Sequence, residues 1–241
     1  MKCALTALAT DARVVRTASG ALGRTMHRAT RIVALAAFIF STVSATATAK
    51  IAPSPGASSQ VSSNSGYFDE KTSTRFPVAL GALRYGGVID NREKSPGLGI
   101  TLAYGSPRIT ASIFVYDRSQ RDIQAGAAST AVQREFVQAL NDVRTLEELG
   151  RYRDVMAILP HLLKVKVEGG ERSFVWTRMA YEEADNPNVR LSSFAFLTGY
   201  RAHFVKVRFT GPAADFEEES GPGWPTLSGF LKSFAQILGN D

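Results

Sequence analysis

Cysteine is nearly missing from this chain of 241 residues, whose only one is Cys3. The chain from residue 4 onward therefore lacks a disulfide bond, a thiolate nucleophile and a thiolate zinc ligand. Histidine is also scarce: beyond residue 49 only His161 and His203 occur, without the His-Glu-x-x-His spacing of zinc proteases. A Walker phosphate loop, a dinucleotide-binding glycine fingerprint and a Gly-x-Ser-x-Gly elbow are missing too. We therefore expect no cofactor and no metal, and a role other than catalysis is favoured.

A charge excess of one sign is missing from the part of the chain that we expect to fold. The whole chain carries 28 Lys and Arg against 22 Asp and Glu, a net charge of +6. Residues 1–49 hold six of the basic residues and one acid, which leaves 22 basic and 21 acidic residues from Lys50 onward. This near-neutral balance argues against a nucleic-acid partner.

Apolar runs long enough to cross a bilayer, which takes about 20 residues, are also missing. The longest apolar stretch covers residues 32–40, directly after Arg28 and Arg31. It is followed by Ala47-Thr48-Ala49, the small-x-small pattern that a signal peptidase accepts. Residues 1–49 are therefore predicted to be a cleaved signal peptide.

The predicted signal places the protein in the periplasm or outside the cell. We expect no stable membrane span after cleavage, and an uncleaved N-terminal membrane anchor is the alternative. The leader is long for a signal peptide, and we expect translation to start at Met26. The only cysteine lies in the leader and precedes its apolar run, so it cannot be a lipidated cysteine of the mature chain, which is cysteine-free.

Residues 50–66 contain six Ser, two Pro and two Gly, a composition typical of a flexible linker. Residues 67–241 are predicted to form a single domain. A two-residue alternation of apolar side chains in residues 98–105 and 109–117 predicts two strands, and their short link predicts an antiparallel hairpin. Residues 76–91 are apolar but interrupted by glycine, which indicates an irregular first strand.

Two segments carry the three- and four-residue apolar spacing of amphipathic helices. The first runs from Ser129 to about Arg151, with a predicted capping box of Thr130 and Gln133, and the second covers residues 226–238. Residues 154–160 fit a short helix or a strand equally well. Further strands are predicted at residues 162–168, 172–183, 189–198 and 202–210.

These elements predict an α+β fold. Most links between successive strands are too short for crossover connections, so the sheet is expected to be mainly antiparallel. A long central helix and a C-terminal helix are expected to cover it as layers.

Aromatic and basic side chains concentrate in the last predicted hairpin and are the best candidates for a binding site. Tyr200, Arg201, Phe204, Lys206 and Arg208 would present a cationic, aromatic surface to an acidic partner, with Trp176 and Arg178 nearby if the strands pair as expected. The alternative is an aromatic core with basic residues at the rim of the sheet. No catalytic residue is predicted.

Three short phrases carry a resemblance to known proteins: GLGITLAY at 97–104, IFVYD at 113–117 and TGY at 198–200. With the overall layout, they resemble a group of uncharacterised exported proteobacterial proteins. The element order is similar to the PsbP-like fold, named after an extrinsic photosystem subunit. This resemblance implies a layered sandwich that acts in protein binding or assembly without a shared catalytic centre. No matching docking or metal motif occurs, so it implies no site residues.

The leading hypothesis is an exported, periplasmic, non-catalytic binding or accessory protein whose partner is an envelope protein or a small ligand. An envelope hydrolase with a site assembled from scattered residues is one alternative, because active sites are defined by geometry and not by order along the chain. Capture of a small ligand or lipid between a helix and the sheet is the other.

Overall fold

The computed structural model describes residues 65–239. The predicted signal peptide and nearly all of the predicted linker lie outside the described residues. The strands are β1 (Tyr67–Asp69), β2 (Thr74–Phe76), β3 (Ala79–Leu80), β4 (Leu83–Asp90), β5 (Ile100–Gly105), β6 (Thr110–Tyr116), β7 (Tyr152–Ala157), β8 (His161–Val167), β9 (Gly170–Glu183), β10 (Asn186–Tyr200) and β11 (His203–Pro212). The helices are α1 (Thr130–Glu148) and α2 (Gly223–Ile237), with a 3-10 helix at Ala213–Phe216 between β11 and α2.

Nine of the strands form one antiparallel sheet. Eight of them follow the order β3-β4-β5-β6-β11-β10-β9-β7, and the ninth, β8, pairs with β9 on the same side as β7. Strands β7 and β8 pair with successive stretches of β9 and run in the same direction, so together they form one interrupted edge strand. Strands β1 and β2 form a separate hairpin. The expectation of a mainly antiparallel sheet is confirmed.

Each face of the sheet carries its own hydrophobic core, because side chains alternate between the two faces along every strand. On one face, α2 packs its buried Leu227, Phe230 and Phe234 against a core that includes Phe194 and Phe209. On the other face, α1 contributes Val132 and Phe136 to a smaller core. The predicted α+β class is confirmed. The sheet dominates the fold, and α1 lies on one side of it and not at its centre.

Helix α1 begins differently from the predicted capping box. Ser129 is the N-cap: its backbone is extended, and its Oγ accepts a hydrogen bond from the Val132 amide at 3.2 Å. The Gln133 side chain donates instead to the carbonyl of Ala127 at 2.7 Å. The capping box of Thr130 and Gln133 was therefore wrong, because the chain enters the helix one residue earlier.

Helix α2 begins at Gly223, three residues before the predicted start. Trp224 lies in its first turn and packs edge-to-face on Phe194 and Phe216, with ring centroids 5.5 and 5.6 Å away. Its indole Nε1 donates to the Glu218 carbonyl at 2.9 Å. These contacts fix the start of the helix on the sheet. Neither helix within residues 65–239 is long and apolar enough to cross a bilayer.

Candidate functional site

Part of the sheet face on the α1 side is formed by three rows of side chains that cross four strands, and we call it the cationic face. The rows follow directly paired residues on β11, β6, β5 and β4: Lys206–Phe114–Thr101–Ile89, Arg208–Ser112–Ala103–Gly87 and Thr210–Thr110–Gly105–Arg84. Its charged residues are Arg84, Lys206 and Arg208, and none of its residues is acidic. Helix α1 packs mainly on β7 and β10, and Arg84, Ala103 and Thr110 are exposed.

Lys206 lies on the cationic face against two aromatic rings. Its Nζ is 4.8 Å from the centroid of Phe114 and 5.5 Å from that of Tyr116. No carboxylate among residues 65–239 lies within ion-pair distance of this amine. Burial lowers the pKa of Lys206 to about 8, against the opposing effects of Glu135 and Asp142 on α1. The structure thus holds a lysine in surroundings that disfavour its charge.

The nearest carboxylate network lies between α1 and β6. Buried Glu135 accepts a hydrogen bond from the Tyr116 hydroxyl at 2.7 Å, and its other oxygen lies 2.7 Å from Arg118 Nε. Burial, reinforced by the charge of Glu135, raises the pKa of Tyr116 well above its ordinary value. This network fastens α1 to the sheet beside Lys206, so the carboxylate of Glu135 is already bound.

Arg208 is held by neutral hydroxyl groups beside Lys206. Its Nε donates to Ser193 Oγ at 3.1 Å, and its Nη2 donates to the hydroxyls of Tyr152 and Tyr181 at 3.1 and 2.8 Å. The guanidinium carbon is 5.5 Å from both tyrosine ring centroids. Several hydrogen bonds and two cation–π contacts therefore fix the position of this cation.

Arg178 and Tyr200 lie on the opposite side of the sheet from Lys206 and Arg208. Arg178 is paired across the strands with Phe194 and belongs to the α2 side. Its guanidinium carbon lies 5.6 and 5.9 Å from the ring centroids of Phe194 and Trp224, and burial lowers its pKa. Tyr200 is a buried member of the α2-side core. These two residues do not contribute to the cationic face.

Arg201 occupies the turn between β10 and β11, beside Tyr200 and away from Lys206 and Arg208. Both turn residues, Arg201 and Ala202, have positive φ, at 45° and 57°. The guanidinium stacks 5.2 Å above the Tyr200 ring and donates to the carbonyls of Thr72 and Ser73. Arg201 therefore tethers the β1–β2 hairpin to this turn. Of the basic candidates, the structure brings only Lys206 and Arg208 together on one face of the sheet, whereas Arg201 contacts Tyr200.

Several residues of the site could not be identified from the sequence. Arg84 lies in the glycine-interrupted stretch, where a bulge between Tyr85 and Gly87 shifts the register of β4 and hides its alternation. Tyr152 precedes the segment that fitted a helix or a strand equally well, and it is the first residue of β7. Its contact with Arg208 spans 56 residues, a pairing for which the sequence holds no local signal.

A cleft of about 270 Å³ lies near the end of α2, where β9 begins and β10 ends. Its walls include Arg172, Ser173, Thr198 and Tyr200. Arg172 Nε donates to the carbonyl of Leu238 at 3.0 Å, which caps the end of the helix. The lining mixes polar and apolar residues, unlike the mainly apolar cavity that lipid capture requires.

Within residues 65–239, no cluster of three or more His, Cys, Asp or Glu side chains is arranged to hold a metal ion. No model of a known protein family matches the chain. A search of curated proteins also gave no match.

Proposed function

We propose that this chain is an exported, non-catalytic binding or accessory protein that acts in the periplasm of a Gram-negative cell and contacts an envelope protein. The cationic face carries this proposal. It carries two anchored, half-buried cations on β11, Lys206 and Arg208. It continues across β6, β5 and β4, where Thr110, Ala103 and Arg84 are exposed.

A binding role accounts for the position of Lys206, where burial of the charged amine disfavours folding. Removing a lysine from water without a carboxylate partner disfavours the folded state. Core packing would be served better by an apolar residue at that position. A cation retained there is explained by an interaction outside the folded domain.

The order of strands and helices also supports a binding role, because it is similar to that of the PsbP-like fold. An antiparallel sheet with one helix on each side is consistent with the proposed PsbP-like sandwich, whose members act mainly in protein binding and assembly. The envelope hydrolase receives less support, because Arg178 and Tyr200 lie across the sheet from Lys206 and Arg208.

In-cell crosslinking tests the proposal. Full-length protein with a C-terminal tag is crosslinked in living cells, recovered from the periplasmic fraction, and the captured material is identified by mass spectrometry. We expect the processed chain in the periplasmic fraction with one enriched envelope protein. Recovery of the chain from the cytoplasm, or capture of nothing above an untagged control, would contradict the proposal.

The cleft beside α2, whose lining mixes polar and apolar residues, favours a second candidate, the capture of a small ligand. Its volume of about 270 Å³ is near the lower end of small-molecule sites. A thermal-shift screen of metabolites tests it, because a ligand that binds only the folded state raises Tm. A hit whose shift is lost in Thr198→Leu, a change that fills the cleft, would support the ligand candidate.

A further inference from the structure

We propose that the cationic face is the docking surface for an extended acidic segment of the partner polypeptide. This inference rests on the proposed binding function and specifies the surface and the chemistry of the partner. The segment would lie across β4, β5, β6 and β11 and place carboxylates against Arg84, Lys206 and Arg208.

Charge complementarity is the first argument. The rows of the cationic face contain three basic side chains and no acidic ones, whereas the chain from Lys50 onward is close to neutral. The positive charge is therefore local, and it cannot be attributed to a general excess of basic residues. Such a surface attracts a complementary negative segment and rejects positive ones.

The charges of Glu135 and Asp142 on α1 act on Lys206, but neither carboxylate forms an ion pair with its amine. Glu135 of α1 is bound to Tyr116 and Arg118. Glu183, at the end of β9, has its pKa raised by burial, although the charge of nearby Arg208 acts in the opposite direction. Asp142 of α1 is exposed and forms its hydrogen bond with Gln138 at 2.9 Å.

Shape is the second argument. Ala103 and Ser112, in the middle of the face, have small side chains, and neighbouring Gly87 and Gly105 have none. The backbone of a partner can therefore approach these positions closely. Ile89 is 64% exposed and offers an apolar contact at the β4 end. The face therefore combines three basic side chains and one exposed apolar side chain with positions that carry small side chains or none.

Preorganisation is the third argument. The aromatic rings beneath Lys206 and the hydroxyls around Arg208 hold both cations in place before any partner arrives. Binding then requires little additional ordering of these long side chains, whose immobilisation otherwise opposes association.

A peptide titration tests the inference. The full chain is titrated with a fluorescent peptide of alternating Glu and Ser, and with a matched peptide in which Gln replaces Glu, while amide NMR signals locate the contact. We expect the Glu peptide alone to bind, with shifts at Ala103 and Ser112, and to weaken steeply with added salt. Arg84→Glu and Lys206→Gln should each weaken binding by about tenfold.

Lys232→Glu is the matched control, because Lys232 is an exposed lysine of α2 on the other side of the sheet. Its affinity should stay within about twofold of the unmodified chain, since exposed charges beyond a Debye length are screened. Arg84 is exposed, so Arg84→Glu keeps the test valid even if Lys206→Gln alters the fold.

Two results would overturn the inference. One is equal binding of the Glu and Gln peptides, and the other is equal weakening by Lys232→Glu and Arg84→Glu. If either occurs while in-cell crosslinking still captures an envelope protein, the proposed function stands and only the docking surface is wrong. If crosslinking captures nothing, the proposed function itself fails.

Discussion

Replacing Lys206 by methionine should make the protein more stable at neutral pH. The folded structure holds the pKa of Lys206 at about 8, against an ordinary value of 10.5, and burial is the main cause. Since one pKa unit corresponds to about 1.4 kcal/mol, the charged amine disfavours folding by about 3 kcal/mol at pH 7. The cation–π attraction to Phe114 and Tyr116 acts on the charged amine, so it is already included in this net value. We therefore expect Lys206→Met to stabilise the fold by about 3 kcal/mol.

The lowered pKa of Lys206 also makes the stability of the fold depend on pH. Between pH 8 and pH 10.5 the unfolded chain binds a proton at Lys206 that the folded chain has already released. The contribution of Lys206 to stability therefore rises with pH across this window, and the full penalty is present below pH 8. The advantage of Lys206→Met should be largest at pH 7 and nearly absent at pH 10.5.

Urea unfolding at a series of pH values measures both effects, with Lys232→Met as the control for loss of a surface lysine. The quantity of interest is the difference in unfolding free energy between each variant and the unmodified chain, so other titrating groups cancel. Either of two results would show that the buried charge of Lys206 does not disfavour folding. One is a Lys206→Met variant that is less stable than the unmodified chain, and the other is a difference in unfolding free energy that is the same at pH 7 and pH 10.5.

Three further substitutions test the scaffold that positions the cationic face. Phe136→Ala should lower the free energy of unfolding in urea by about 3–5 kcal/mol, because a buried ring of α1 is lost from the smaller core. Glu135→Gln should cost about 1.5–3 kcal/mol in the same assay, because the charge-assisted bond to Arg118 is lost. Gly199→Ala should lower Tm, at a cost of about 1–3 kcal/mol, because the added Cβ would overlap the Gln124 carbonyl oxygen; an unchanged Tm would contradict that close approach.

Periodicity predicted the regular elements, since it follows from burial along each strand and helix. The predicted strand 98–105 corresponds to β5, the predicted strand 202–210 to β11, and the helix from Ser129 to α1. The prediction was weakest where local geometry departs from the repeat. Asp154 has a φ of 50° within β7, and this bulge explains why residues 154–160 showed no clear period.

The sequence predicts which candidate residues share a face of the sheet only when they belong to the same strand. Lys206 and Arg208 are two residues apart on β11, so alternation alone places them on one face. Arg178 belongs to another strand, and its face depends on the pairing register, which a shift of one residue reverses. The sequence does not encode that register locally, so its position opposite Lys206 required the structure.

Site-specific photo-crosslinking in cells tests directly whether the cationic face contacts an envelope protein. A photoreactive amino acid is placed at Ala103, in the middle of the cationic face, or at Lys232 on α2 as the control position. We expect one envelope protein to be captured from Ala103, the crosslinked peptide within it to be rich in Asp and Glu, and Arg84→Glu to reduce the yield. Capture of the same protein from Lys232 but not from Ala103 would contradict the assigned surface.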